Sequence, residues 1–517
     1  MIARDGAHES LWQQTTFEYH STSQWKNNQQ FDVAIVGGGI TGITTALLLQ
    51  QAGKKCIILE AQNIGFGTTG GTTAHLNTLL DTPYQTIIKN FDRNSAKMIA
   101  QAAKDAISLI RQHVEIHDID CGFQECSAYL FAQDEKQNKE LDSTIEATLH
   151  AGVVVNEVHE IPVPINFTRA IEIPGQAKFH PLRYVYKLAQ IFIENGGVIT
   201  QYCRVTNAES KDDVVHVETS IGSVTCNTLI YATHIPPGIN LIHLRCSPFR
   251  SYAMAVQLKD AKYPEHLAYD MYDPYHYYRT QEIDGKSYLI VGGNDHKTGE
   301  EKNTESVFLN LESHVRSYFN VERTTQRWSS QYYEPADGIP YIGVLPGNSK
   351  NILVATGFGG NGMIYSAVAA RVLTDIITLN ENALIDLFSP SRIKPIAGFQ
   401  NFVSHNADVV KELFKKLKPI ETLNSFADLA PGEGKVAKIE GETVGAYKDN
   451  NGAIHLVSAT CTHMGCPVHW NSTEKSWDCS CHGARYSVDG KVLNGPTDRD
   501  LNLAVITGAK EKVNTEH

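Results

Sequence analysis

Phe31-Asp32-Val33-Ala34-Ile35-Val36-Gly37-Gly38-Gly39-Ile40-Thr41-Gly42 decides the fold of the larger part of the chain. Its first six residues are a nearly continuous apolar run, the pattern of a strand covered on both faces in a parallel sheet. Glycines follow at once, and between Thr41 and Gln51 the residues Ile43, Ala46, Leu47, Leu48 and Leu49 recur at helical spacing. Gly53 supplies a stop before a second strand, Lys55-Cys56-Ile57-Ile58-Leu59-Glu60. This is a βαβ unit with G-x-G-x-x-G at Gly37, Gly39 and Gly42. The first glycine permits the tight turn, the second lets the backbone approach a pyrophosphate, and the third lets helix and strand pack closely. The pyrophosphate is expected at the helix N-terminus, beside Ile40. Glu60, ending the second strand, is placed to accept both ribose hydroxyls.

FAD and NAD share this fingerprint, and a second segment separates them. Asn351-Ile352-Leu353-Val354-Ala355-Thr356-Gly357-Phe358-Gly359-Gly360-Asn361-Gly362-Met363 reads as another buried strand running through glycines into a helix that begins near Ile364. Two such elements, far apart in the chain, fit one long ligand lying between them. On these residues the chain resembles the D-amino-acid oxidase and glycine oxidase family of FAD-dependent oxidoreductases over roughly residues 31–388. His180-Pro181, Arg204-Val205 after Gly196-Gly197, Tyr231-Ala232-Thr233-His234 and Asp337-Gly338-Ile339-Pro340-Tyr341-Ile342-Gly343 match further. The resemblance implies an α/β, doubly wound, Rossmann-like FAD domain (about 31–85, 150–245 and 335–388) interleaved with an antiparallel-sheet substrate domain (about 86–149 and 246–334). With the fingerprint it assigns Gly37, Gly39, Ile40, Gly42, Glu60, Thr68, Thr69, Val205, Gly359, Gly360, Asn361, Gly362 and Met363 to the cofactor. Sarcosine oxidases attach flavin to a cysteine in the region matching Arg327–Pro340; this chain has none there, so the FAD is expected to be noncovalent. Only one Gly-rich fingerprint follows a strand, which weighs against a separate NAD(P)H site.

The loop Gly65–Gly71 should reach the isoalloxazine, which makes Thr72, Thr73 and His75 candidate catalytic residues, with Tyr277, Arg279, His296 and Tyr333 from the substrate domain. His75 reads equally as a proton-transfer group or a hydrogen-bonded structural histidine. Arg279 reads as an anion-binding group or as a strand-face cation. Relatives that bind a substrate carboxylate through a Lys after the aromatic of G-H-G-F have a counterpart here in Met363-Ile364.

Ten cysteines are spread unevenly. Cys56, Cys121, Cys126, Cys203, Cys226 and Cys246 are scattered, as small buried hydrophobes are. Cys461-Thr462-His463-Met464-Gly465-Cys466 and Cys479-Ser480-Cys481-His482-Gly483 instead crowd the end of the chain with histidines between them. Zinc accepts two Cys and two His, but ligands two apart in the first pair depart from its usual spacing. A Rieske cluster needs this set: two thiolates hold one iron of a [2Fe-2S] unit and two neutral imidazoles the other. About residues 425–512 resemble a Rieske domain, and the resemblance assigns Cys461, His463, Cys479 and His482 as ligands of one [2Fe-2S] cluster. It is to the cytochrome bc type, which implies a disulfide between Cys466 and Cys481 and matches Gly495-Pro496 to that type's proline loop. Where that type has a Ser after C-H-G, this chain has Ala484, while Tyr486 is retained. Fewer hydrogen bonds to cluster sulfur lower the potential, so redox titration is expected to give a value below that of respiratory Rieske proteins.

The whole chain has 517 residues, about three units of core-building size. Hydrophobic residues make 42% and charged residues 20%, which fits a globular chain rather than a disordered one. A formal net charge of −12 opposes the clustered cations that nucleic-acid binding needs. Met1 to Glu9 lacks the pattern of a secretory signal, and no long uncharged apolar run provides a transmembrane anchor. The expectation is a cytoplasmic protein. Residues 1–30 read as an arm or lid, and 389–424 as a linker whose amphipathic helix (Phe402, Val403, Val409, Val410, Leu413, Phe414 and Leu417) docks on its own protein rather than on a membrane surface. Short strands with Gly/Asn turns then begin a small β domain.

A flavin takes two electrons as hydride, whereas a [2Fe-2S] cluster passes them singly. The expected function is a dehydrogenase in which a small-molecule substrate, an amine or amino acid oxidised at a C–N bond, reduces FAD. The cluster then serves an external one-electron acceptor: ferredoxin, cytochrome or quinone. The alternatives are an electron-transfer or redox-sensing module without organic substrate, and a reductase or monooxygenase fed through the cluster.

Overall fold

The computed structural model describes residues 4–21, 25, 29–392, 423, 426–439 and 441–504; the amphipathic segment around Phe402 to Leu417 lies outside them. The βαβ unit forms as strand Gln30–Val36, helix Ile40–Gln51 and strand Cys56–Leu59. It occupies the middle of a sheet ordered Tyr341–Val344, Ile352–Thr356, Gly222–Tyr231, Gln30–Val36, Cys56–Leu59, Val198–Thr200. The last five strands of that order are parallel and Tyr341–Val344 is antiparallel. Two further strands, Val205–Lys211 and Val214–Thr219, extend it antiparallel from Gly222–Tyr231. Helix Ile40–Gln51 is apolar nearly all round because it lies under helices Pro181–Glu194 and Gly362–Thr378 as well as on the sheet. Helix Arg93–Ile116 meets the protein on one side only and buries a stripe of Ala96, Ile99, Ala103, Ile107 and Ile110.

The second sheet has nine strands, with Val321–Pro335, Cys246–Leu258, Lys286–Lys297 and Tyr277–Ile283 antiparallel at one side. It is mixed rather than purely antiparallel, since Leu267–Asp270 runs parallel to Gln124–Ala132. Its membership also moves the expected boundaries. His75–Leu76, Asn156–Val158 and Arg169–Lys178 all join this sheet, because the hydrogen bonds of Arg169–Lys178 go to Gln124–Ala132. Strands Asn156–Val158 and Arg169–Lys178 therefore lie in the nine-stranded sheet, and the chain returns to the parallel sheet only after them. Helix Gly362–Thr378 begins two residues before Ile364, with Asn361 at its N-cap.

The arm is built into the core. Ser10 caps a short helix, Leu11–Gln14, with a reciprocal Ser10–Gln13 capping box, and Leu11 and Trp12 are fully buried. After the linker come two small antiparallel sheets, Gly434–Ile439 with Glu442–Lys448 and Ile454–Ser458, then Val468–Asn471 with Ser476–Cys479, Arg485–Ser487 and Val492–Asn494. No helix among the described residues is long and apolar enough to cross a membrane.

Candidate functional site

A cavity of about 300 Å³ runs between the two large sheets. Gly37, Gly39, Ile40, Glu60, Thr68, Thr69 and Val205 line it from the first half of the nucleotide domain, and Gly359, Gly360, Asn361, Gly362 and Met363 from its last segment. Gly42 does not line it. A Cβ there would stand 2.0 Å from the Gly37 carbonyl oxygen, so Gly42 acts by letting the helix close on the turn. Gly37 has φ +109°, a conformation that favours glycine, and a Cβ would meet the Ala232 carbonyl at 2.4 Å.

These residues fit a dinucleotide. Gly39 and Asn361, which begin the two helices, give no side-chain cap, so amide donors at both N-termini are left for a ligand. Ile40 N–H donates to Thr69 Oγ1 at 3.1 Å. Glu60 is buried, accepting from Gly38 N–H at 2.6 Å and Gln62 N–H at 2.7 Å. Burial raises its pKa against the lowering by those amides and by Arg204. Cys203 and Arg204 line the cavity beside Glu60.

At the other end Thr72, Thr73, His75, Tyr277 and Tyr333 face the cavity. His75 shares a 2.6 Å hydrogen bond through Nδ1 with Tyr269 Oη, and its buried Nε2 has no partner. Burial, aided by the charges of Arg279 and Lys178, holds its pKa well below 6.5, so the imidazole is neutral. Two expectations are corrected. Arg279 does not line the cavity: Nη1 donates to the backbone oxygens of Thr73 at 2.9 Å, Ala74 at 2.6 Å and Phe179 at 3.2 Å, and Nη2 to Gln281. It holds the segment around Thr73 and Ala74 in shape. His296 points to the other face of its strand, bonding Tyr252 Oη at 3.0 Å. Its neighbour Asp295 enters the cavity instead, as side chains in a strand alternate. Asp81, Tyr269, Tyr275 and Tyr332 also line it and were not anticipated. The one available signal was the alternation Tyr275-His276-Tyr277, which puts both tyrosines on one face.

In the small β domain the expected ligands converge. The His463 and His482 rings lie 5.0 Å apart and nearly perpendicular. Hydrogen bonding from Cys479, with a further contribution from Tyr486, draws the Cys461 thiol below its ordinary range, and Cys461 Sγ is 3.2 Å from Tyr486 Oη. Cys466 and Cys481 form a disulfide joining the two ligand loops. Two sulfurs and two imidazoles at the tips of bridged loops are the donor set of a Rieske cluster. The six scattered cysteines are buried, as expected of packing residues.

Residues 32–376 match the family described as FAD dependent oxidoreductase, and residues 422–505 match the Rieske [2Fe-2S] domain. The chain belongs to the FAD-dependent oxidoreductase family. Its C-terminal part is a Rieske domain, so it binds FAD and a [2Fe-2S] cluster. YhfW of Bacillus subtilis (strain 168), which bears the name of a Rieske 2Fe-2S iron-sulfur protein, is 35% identical over 96% of this chain and 97% of its own length. Gamma-glutamylputrescine oxidoreductase of Escherichia coli (strain K12) is 22% identical over 67% of this chain and 83% of its own. Among solved structures, glycine oxidase from Geobacillus kaustophilus shares the fold with a TM-score of 0.60, 17% identity, and coverage of 71% of this chain and all of that one.

In this oxidoreductase the two sites adjoin. Leu493, Gly495 and Thr497 of the Rieske domain help wall the flavin cavity. Tyr333 lines that cavity, while its hydroxyl donates to the carbonyl of His482 at 3.2 Å. Gln331 Nε2 donates to the Gly483 carbonyl at 2.9 Å, and His463 Nε2 lies 2.9 Å from the Gly238 carbonyl of the flavin domain. The histidine edge of the Rieske domain is thus buried against the flavin domain rather than turned to solvent.

A buried charge network fastens this contact. Arg4 and Asp5 come from the arm, Arg250 from the nine-stranded sheet, and Glu474, Asp478 and Arg485 from the Rieske domain. Arg485 reaches Asp478 at 3.0 Å and Asp5 at 3.3 Å; Glu474 lies 3.8 Å from Arg250 and 3.9 Å from Arg4, and accepts from Ser329 N–H at 3.0 Å. Three guanidiniums balance three carboxylates.

Ala484 is fully buried beside the cluster loops. Ala484→Ser is expected to raise the cluster potential by on the order of 50 mV, the equivalent of one hydrogen bond of about 1 kcal/mol to reduced-state charge. EPR-monitored redox titration reads it, and an unchanged potential would show that the hydroxyl does not reach sulfur.

Proposed function

We propose that the chain is a dehydrogenase that oxidises a C–N bond of a small substrate and delivers the two electrons singly, through the Rieske cluster, to an external acceptor. The observation that carries this reading is Tyr333, which lines the flavin cavity and hydrogen-bonds the backbone of a cluster ligand. The cavity of about 300 Å³ between the sheets further supports an organic substrate over a pure relay, which has no need of one.

FAD, when bound, supplies a two-electron acceptor, and the cluster a one-electron carrier. The protein's own residues bind and orient. Gly37 and Gly39 admit the pyrophosphate, and Glu60 takes the ribose. The Arg279-braced loop presents Thr72, Thr73 and neutral His75 to the substrate. His75 Nε2 is available to hold or accept a proton as the C–N bond is oxidised. Noncovalent FAD is in keeping with the described cavity-lining residues, whose one cysteine, Cys203, lies beside Glu60 rather than beside Thr72, Thr73 and His75.

Anaerobic addition of amines, amino acids and hydroxy acids to the holoprotein tests this, with flavin bleaching and the EPR signal of the reduced cluster followed together. Bleaching by a C–N substrate followed by the EPR signal is expected. If no small molecule reduces either centre while reduced ferredoxin does, electrons flow the other way and the dehydrogenase reading fails.

A further inference from the structure

Resting on that C–N reading, we infer that the site takes an amine cation carrying no carboxylate on the carbon that bears the nitrogen. The substrate end of the cavity is walled by the carboxyl groups of Asp81 and Asp295 and the phenols of Tyr269, Tyr275, Tyr277 and Tyr332. Asp81 accepts from Gly360 N–H at 2.7 Å and from Tyr275 Oη at 3.2 Å, so one acid sits directly on the cofactor loop. Asp295 accepts from Tyr332 Oη at 2.9 Å, and the Ser251 hydroxyl lies beside its buried carboxyl.

The described residues lining this part of the cavity offer no positive counterpart. Among the described residues lining the cavity the one Lys or Arg is Arg204, beside Glu60 at the ribose end. Arg279 is turned to backbone carbonyls, and Lys178 donates to the Glu265 carbonyl at 2.6 Å. A substrate carboxylate would be desolvated beside two acids with nothing to neutralise it. An ammonium meets aromatic faces and acidic oxygens, the combination that holds organic cations. Burial and the neighbouring charge of Asp81 push Asp295 up to about 7, the response of a carboxyl in a site that lacks a cation.

Two measurements on the holoenzyme test this. The first compares anaerobic flavin reduction by matched pairs, butylamine with 2-aminopentanoate and 1,4-diaminobutane with 2,5-diaminopentanoate. The amine of a pair is expected to win by on the order of 100-fold in reduction rate over Kd. The second titrates two non-oxidisable probes, butyltrimethylammonium and butyrate, by the shift in the flavin spectrum. The cation is expected to saturate and butyrate to give no shift, and Asp295→Asn to weaken the cation at least about tenfold while FAD stays bound. Amino acids reducing the flavin as well as their amines, or butyrate binding in place of the cation, would overturn the inference and leave the C–N reading standing. If neither member of any pair reduces a flavin that dithionite does reduce, the C–N reading itself falls, and the inference with it.

Discussion

Glu474→Ala should loosen the Rieske domain from the flavin domain. Glu474 is completely buried, and its removal leaves Arg4, Arg250 and Arg485 facing only Asp5 and Asp478. Breaking a buried charge set by deleting one partner costs about 3–5 kcal/mol, because the remaining charge is stranded away from water. The expected readouts on holoenzyme are a lower first unfolding transition, faster proteolysis in the linker and slower appearance of the cluster EPR signal after flavin reduction. Unchanged values of all three would show that the network is not what holds the domains together. Burial alone would raise the Glu474 pKa, but the guanidiniums of Arg4, Arg250 and Arg485 hold it below its ordinary 4.5, and Asp5 and Asp478 likewise lie below 3.8. With folded pKa values depressed, the contribution is complete above those ordinary values and is lost as pH falls through the lower folded ones. Docking should therefore be indifferent to pH from neutrality to about 4.5 and fail only in stronger acid.

Gly42→Ala is expected to abolish FAD binding while sparing the cluster. The added methyl would stand 2.0 Å from the Gly37 carbonyl oxygen and 3.3 Å from the Ile35 side chain. Neither the backbone turn nor the packed strand can retreat, so the helix must shift off the sheet, at a cost of about 1–3 kcal/mol, and its N-terminus leaves the pyrophosphate position. Flavin content, read by absorbance against protein, should fall more than about tenfold, given how closely backbone must approach the pyrophosphate. The Rieske EPR signal of the dithionite-reduced protein should persist, since the cluster ligands belong to the separate C-terminal β domain. Full flavin content in this variant would mean that the third glycine is dispensable here.

Much of the site was legible because its signals are local. Gly37, Gly39 and Glu60 belong to one βαβ unit, and the Rieske ligands come as two short motifs whose spacing excludes ordinary zinc geometry. The misreadings share a physical origin. Arg279 and His296 were selected by residue type near the right segment, but strand alternation decides which neighbour faces a cavity. One position separates His296 from the cavity-facing Asp295, and Arg279 was claimed by backbone carbonyls of a loop two hundred residues away in sequence. That strands Asn156–Val158 and Arg169–Lys178 pair into the nine-stranded sheet is not legible locally, because a strand's composition does not name its partner.

By itself, then, the sequence determined the two cofactors and the order of the domains, because glycine turns and metal-ligand spacings are set by residues a few positions apart. The tertiary structure alone decided that the histidine edge of the cluster is buried on the flavin domain, that Tyr333 bridges the two sites, and that acids and phenols rather than cations line the cavity away from Glu60. Each of these joins residues distant in the chain, such as Arg4 with Glu474 or Asp81 with Asp295, and such meetings are fixed by packing and the pairing of buried charge, which no local pattern encodes.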